Sequence, residues 1–297
     1  MIVTTWFFLA SLLTVPVIYL YWKLNHVPRI NKRSTPAKYN LSFRTVSIQK
    51  KNKKHLFGWY IPGKASQKMP CMLVMHGWCG NASSLLTFAP ILHNAGLNLL
   101  FLDASNHGQS SQNGQSSIVQ FSKDINDGLE WLVQQPEACS LPPFIMGHSN
   151  AAAGALLSAV TKEVQGIIAI SAFSHSIPFL KHWIKANTFI PFWPIGWIVI
   201  QCMQLRLMKK YNTIAPINII KNIEAPILFV HGENDVLSPI LNIEKIQANA
   251  KVGQAEVFKV SDAGHNSIPA FRKHAHEKIP QFIFKSIEFS KSNVNII

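Results

Sequence analysis

Short apolar runs recur along the chain from residue 43 onward, and most end in a small polar or glycine-containing turn that leads into a helical pattern. The runs at 71–75 (CMLVM), 98–103 (NLLFLD), 144–147 (FIMG), 166–171 (GIIAIS) and 225–230 (APILFV) have no alternation of polar and apolar positions. That is the pattern of strands buried on both faces. Further strands fit 43–49, 56–61 and 255–260, and helices fit 83–95, 117–135, 150–161, 239–250 and 271–289. The helix over 117–135 places Ile118, Phe121, Ile125, Leu129 and Leu132 on one face, and Gly96 is a stop signal for the helix before it. Strands that alternate with helices of this length predict an α/β fold, a mostly parallel sheet with helices on both faces. Ligands of such sheets bind at the carboxyl ends of the strands.

Two segments fall outside the alternation. Residues 1–22 (MIVTTWFFLASLLTVPVIYLYW) carry no charged side chain, a length that spans a bilayer as a helix of ~20 residues. Trp6 lies near one end and Tyr19, Tyr21 and Trp22 near the other, where interfacial aromatics sit, and Pro16 is tolerated in lipid. Lys23, Arg29, Lys32, Arg33 and Lys38 follow. The pattern predicts a transmembrane anchor at 1–22, a basic juxtamembrane linker at 23–42 and, by the positive-inside rule, a single-pass membrane protein with the domain that follows on the cytoplasmic side. A cleaved signal peptide fits less well, because a basic n-region and a small-residue cleavage site are missing. The second segment, 172–224, separates two strands and is too long for a simple connection. Its stretch 186–205 is uncharged. A second crossing is rejected there, because Pro191, Pro194 and Gly196 interrupt it and its flanking strands must return to one sheet. The body of the fold is then 43–171 together with 225–297.

Charge sharpens this picture. The chain has 297 residues with 28 Lys+Arg against 14 Asp+Glu, a formal charge of +14. Twelve of the basic residues precede the first acid, Asp103. A basic run beside a membrane helix has a sufficient cause in anionic headgroups, and nucleic-acid binding gains nothing from it, since no aromatics are interleaved with it. Four cysteines, Cys71, Cys79, Cys139 and Cys202, read as free thiols without metal-site companions. No nucleotide-binding glycine pattern is present.

Candidate chemistry stands at the strand ends. In Gly147-His148-Ser149-Asn150-Ala151 a serine follows an apolar strand and precedes an alanine-rich helix. Asp235 ends His231-Gly232-Glu233-Asn234-Asp235, and His265 lies in Asp262-Ala263-Gly264-His265, each directly after a strand. A serine hydroxyl needs a base to become nucleophilic, an imidazole suits that task, and a carboxylate fixes the imidazole's tautomer. Asp262, three residues from His265, is a rival carboxylate and is assigned a local turn role. The backbone N–H of Asn150 is placed to meet an oxyanion.

The serine stretch resembles the nucleophile elbow of α/β-hydrolases, G-x-S-x-G, with Ala151 in place of the second glycine. The resemblance extends to His76-Gly77-Trp78, to the Asp103…His107-Gly108-x-Ser110 segment, to Gly232…Asp235 and to Gly264-His265, in the family's order Ser149, Asp235, His265. It implies the α/β-hydrolase fold, a Ser149–His265–Asp235 triad and Trp78 N–H as the second oxyanion donor. It also implies a helical cap at 172–224 and a substrate site that includes His76 and Gly77, with no cofactor and no metal. The cap's aromatics make the acyl pocket apolar, lined by some of Phe173, Phe179, Trp183, Phe189 and Trp193. They are either the cap's own packed core or a lid that contacts the bilayer. The expected activity is a serine hydrolase acting on a small-molecule or lipid ester with an apolar acyl chain. An acyl-thioesterase or acyltransferase, and a catalytically silent lipid-binding protein, are the alternatives.

Overall fold

The computed structural model describes residues 2–30, 34–51, 53–64 and 68–294, with side chains from 13 to 288. A helix, α1 (Ile2–Asn25), precedes strands β1 (Arg44–Gln49), β2 (His55–Ile61) and β3 (Cys71–Met75). A 3₁₀ turn (Ala82–Phe88) and α2 (Ala89–Asn94) lead to β4 (Asn98–Leu102), then α3 (Ile118–Leu132), β5 (Phe144–His148), α4 (Asn150–Ala159) and β6 (Gly166–Ile170). The insertion holds α5 (Ser176–Asn187), α6 (Trp197–Leu207) and the short α7 (Pro216–Ile219). The chain continues with β7 (Ile227–Gly232), α8 (Leu241–Ala248), β8 (Ala255–Val260), α9 (Ile268–His274) and α10 (Lys278–Val294).

The eight strands form one sheet in the order β1-β2-β4-β3-β5-β6-β7-β8. β2 pairs antiparallel with β1 and β4, and the strands from β4 to β8 run parallel. Every residue of β3, β4, β5, β6 and β7 is buried, because helices cover both faces. The period of two sorts these strands into two cores. Leu73, Ile145, Ile167 and Phe229 face α3, α4 and α8 through Phe121, Ala152 and Ile246. Met72, Met146, Ile168 and Leu228 face the opposite layer, built from Leu86, Leu92, Phe271 and Ile283. Two of the expected helices are divided. Pro90 sits in the first turn of α2, where a missing N–H is harmless, and the residues before it wind as 3₁₀. The last helix is interrupted between His274 and Lys278.

The expectation of a transmembrane anchor is overturned, and with it the single-pass membrane assignment and its cytoplasmic orientation. Among the described residues, no helix is long and apolar enough to cross a membrane. One face of the described end of α1 instead packs against the protein, while Val15, Ile18 and Trp22 on its other face are exposed. Leu20 and Leu24 are 0% and 5% exposed, packed in a third cluster with Ile184, Val199, Ile200 and Met203 of the insertion. Polar contacts fix the same end: Arg206 donates to the Tyr21 hydroxyl at 2.9 Å, and Lys23 Nζ donates to the Asn187 carbonyl at 3.0 Å. An apolar helix face needs an apolar partner, and here protein supplies it. Within the basic segment, Arg29 donates to the carbonyls of Gly108 and Ser110. Lys32 and Arg33 lie outside the described residues, and the Trp6 side chain lies outside the described side chains.

If α1 is structural packing, Leu20→Ala and Leu24→Ala each destabilise the chain by about 2–5 kcal/mol. Thermal or urea unfolding reads this, and unchanged midpoints would contradict the packing role.

Candidate active site

The β5–α4 turn carries Ser149 at φ 53°, ψ −114°, a backbone conformation that a residue with a Cβ adopts only under constraint. The Ser149 N–H is taken by the carbonyl of Ile170 on the neighbouring β6, at 2.9 Å. Strand and helix then nearly touch. A Cβ on Gly147 would lie 2.5 Å from the carbonyl carbon and oxygen of Ala151, so only glycine fits there. Ala151 is fully buried and its methyl joins the core cluster on the α3/α4 side. The departure from the two-glycine elbow is therefore absorbed by packing. The turn after β3 closes on the same place: a Cβ on Gly77 would meet His148 Nδ1 at 2.8 Å and Ser149 Cβ at 3.1 Å.

The other two residues arrive on the turns after β7 and β8. Gly232 lets those turns cross, since a Cβ there would lie 2.1 Å from the Ala263 carbonyl oxygen. Ser267 Oγ accepts from Gly264 N–H at 2.9 Å and fixes the turn that presents His265. His265 Nε2 lies 2.8 Å from Ser149 Oγ, and its Nδ1 lies 2.7 Å from Asp235 Oδ2. The N–H groups of Leu237 and Ser238 donate to Asp235 Oδ1 at 3.0 and 2.8 Å. Serine, imidazole and carboxylate are all buried, at 5%, 8% and 2% exposure. Such a row can pass a proton from the serine to the imidazole while the carboxylate holds the far ring nitrogen. It opens into a cavity of about 300 Å³ walled by Leu24, Ile118, Phe173, Phe179, Trp183 and Met203.

No family model matches the chain. The uncharacterised protein YqkD of Bacillus subtilis is 25% identical over 213 residues, 71% of this chain and 69% of that protein. YfhR of Salmonella typhimurium is 25% identical over 230 residues, 74% of each. Among solved structures, the esterase Pf2001 of Pyrococcus furiosus superposes with a TM-score of 0.73 at 20% identity, covering 89% of this chain and 98% of that one. The chain has the α/β-hydrolase fold. Est1E from Butyrivibrio proteoclasticus shares it with a TM-score of 0.63 at 15% identity, over 82% of this chain and 99% of that one.

Within the α/β-hydrolase fold of this chain, the residues singled out by sequence fall into two groups. Trp78, Asn150, Phe173, Phe179 and Trp183 line the cavity beside Ser149. His76, Gly77, Phe189 and Trp193 are not among its lining residues. His76 is buried beneath the Trp78 turn, where Nδ1–H donates to the Gly77 carbonyl at 2.7 Å and Nε2 accepts from Ala104 N–H at 3.1 Å. Gly77 is filled over by the elbow itself. Phe189 and Trp193, in the stretch between α5 and α6, face outward, Trp193 with 68% of its surface exposed, while Ile195 beside them is buried. Asp262 is exposed at φ 57° and makes a tight turn.

Two histidines escaped the sequence reading. His148 Nε2–H donates to the His265 carbonyl at 2.9 Å and so ties the elbow to the histidine's turn. His231 Nε2–H reaches the Ser238 carbonyl at 2.6 Å and stands 3.3 Å from Asp235 Oδ2. Their signal was adjacency to Ser149 and to the turn that bears Asp235. Burial, and then the neighbouring His265, hold His148 down to about 4. Burial, and then His76, hold His107 down to about 3.

Both rings are neutral in the folded chain, whereas an unfolded histidine takes up a proton near pH 6.5. Stability is therefore complete above about pH 6.5 and is lost as pH falls toward 4 and 3, with about 3 kcal/mol at stake for His148 alone. Urea unfolding at stepped pH measures the slope, and His107→Leu flattens it. A slope that His107→Leu leaves unchanged would contradict this assignment.

Proposed function

We propose that the protein is a serine hydrolase that cleaves carboxylic esters with an apolar acyl chain through an acyl-enzyme. The observation that carries the reading is the hydrogen-bonded row from Ser149 through His265 to Asp235 at the wall of an apolar cavity. That solved structures of the same fold include esterases is consistent with it.

In this reading Ser149 Oγ gives its proton to His265 Nε2 and attacks the carbonyl carbon of the ester. The carbonyl π electrons move onto the oxygen, and the N–H groups of Trp78 and Asn150 stabilise that oxyanion. The N-terminus of α4 points at the same position with its free N–H groups. When the tetrahedral species collapses, the bond to the alcohol oxygen breaks and His265 returns the proton to that oxygen. Water, deprotonated by His265, then attacks the acyl-serine, and a second collapse frees the acid and restores Ser149. Asp235 keeps the proton on His265 Nδ1 and balances the imidazolium. Leu24, Phe173, Phe179 and Trp183 exclude water and take the acyl chain. The volume, about 300 Å³, is at the lower end for small-molecule sites (~300–1,000 Å³) and suits a compact ester.

Steady-state hydrolysis of p-nitrophenyl esters tests this. kcat/KM should rise from acetate toward hexanoate by up to about fourfold per methylene, the value of burying one CH₂. Asp235→Asn should lower kcat by about 10⁴, and Ser149→Ala should lose turnover. A preference for acetate contradicts the apolar acyl site, and turnover retained by Ser149→Ala contradicts the mechanism.

A further inference from the structure

Exposed apolar side chains gather on one part of the molecule. Among the described side chains, ten of the sixteen large hydrophobics that face solvent belong to α1 or to the insertion. So do the exposed tryptophans, Trp22, Trp193 and Trp197. Leu205 and Met208, at the end of α6, are 80% and 91% exposed, and Phe189 is fully exposed. On α1, Val15, Ile18 and Trp22 stand on the face opposite Leu20 and Leu24. These segments are held together, since α1 packs on α6 and on the turn at Phe192–Gly196. The rings of Trp193 and Trp197 lie 5.4 Å apart. Apolar surface gathered in this way marks an interaction site, whereas single exposed side chains do not. It also adjoins the cavity, because Asn187 lines the cavity and Phe189 follows two residues later.

The charge around this surface has one sign. Residues 172–223 contain Lys181, Lys185, Arg206, Lys209, Lys210 and Lys221 and no Asp or Glu, and residues 1–102 contain no acid either. The body answers bases with carboxylates, as in Lys50–Asp124, Lys162–Glu130 and Lys259–Glu244. Among the described residues, no base of the insertion is in an ion pair with an acid. Aromatic rings stand beside the amines of this region instead. Lys181 Nζ lies 5.5 Å from the centre of the Phe192 ring, and Lys23 Nζ lies 5.9 Å from that of Trp183.

Such a surface needs a partner that is apolar within and negative at its rim. A bilayer with anionic headgroups has that profile, and Trp side chains favour its interface. A nucleic acid supplies the charge without the hydrocarbon. A second copy of the same face supplies the hydrocarbon but repels it by like charge.

We propose that the outer face of the insertion and α1 docks on an anionic lipid surface. Phe189, Trp193 and Met208 enter the boundary between headgroups and acyl chains, and Lys185, Lys209 and Lys210 meet the headgroups. The contact is peripheral, since among the described residues no helix is long and apolar enough to cross a membrane.

The full chain is centrifuged with sucrose-loaded vesicles of phosphatidylcholine alone, or of equal parts phosphatidylcholine and phosphatidylserine. It should sediment with the anionic vesicles and far less with the neutral ones. Lys209→Gln and Lys210→Gln should each lower the partition by about fivefold, the value of one base near an anionic surface. Phe189→Ala and Trp193→Ala should each lower it by about tenfold, the low end for burying a large apolar side chain. Lys273→Gln, on the body, should leave it unchanged. All five positions are exposed, so the fold is not at stake. Binding is read without turnover, so failure of the hydrolase reading leaves these results standing. A chain that stays in the supernatant with anionic vesicles overturns the proposal. So does binding that Phe189→Ala and Trp193→Ala leave intact, or that Lys273→Gln weakens as much as Lys209→Gln. A dimer in vesicle-free solution that Trp193→Ala dissolves would assign the face to a second copy and overturn it as well.

Discussion

The fold is organised around one backbone conformation that the chain would not adopt alone. Ser149 is held at positive φ between a strand buried on both faces and a helix that starts at the next residue. The strand cannot move, because β3 and β6 flank it in register. Nor can the helix retreat, because Ala151, Ala152 and Ala155 are locked in the core with Phe121 and Ile125. Gly147 provides the space that lets the two meet. The strain is stored by packing spread over two layers, which is how a sheet keeps a side chain poised at its edge.

The turns around the elbow extend the same logic. Gly77 and Gly232 permit backbone contacts that a Cβ would forbid, one against the serine and one between the turns that carry Asp235 and His265. His148 then ties the elbow to the turn that carries His265, and His231 closes the turn that carries Asp235, each through a carbonyl. The cavity above is composite. Its walls come from the sheet's edge, from the insertion between β6 and β7, and from Leu24 of α1. A helix that packs on the insertion and also contributes to the cavity wall links the amino terminus to whatever the cavity binds.

Much of this was legible in the sequence. Five unbroken apolar runs announced strands covered on both sides; the turns after two of them carried Ser149 and Asp235, and the turn after the strand at 255–260 carried His265. Their mutual distances were not legible, since they depend on which turns cross. The amino terminus misled for a physical reason. An uncharged helix satisfies itself equally against lipid or against protein, and composition does not say which partner is present. Only the burial of Leu20 and Leu24 against α6 and its neighbours separates the two. Lys23 and Arg29 misled likewise, since their carbonyl partners lie at Asn187, Gly108 and Ser110, far along the chain. Within the insertion, aromatic content was visible but its direction was not. Trp183 turns inward and stacks edge-on to Trp78, while Phe189 and Trp193 turn out.

The central claim is that the constrained hydroxyl of Ser149 is made nucleophilic by His265. Reaction of the full chain with a fluorophosphonate, followed by mass mapping of its peptides, tests it most directly. The account predicts a single adduct on the peptide containing Ser149, formed by the wild type and lost in His265→Ala. An unlabelled wild-type chain, or an adduct on another residue, would contradict it.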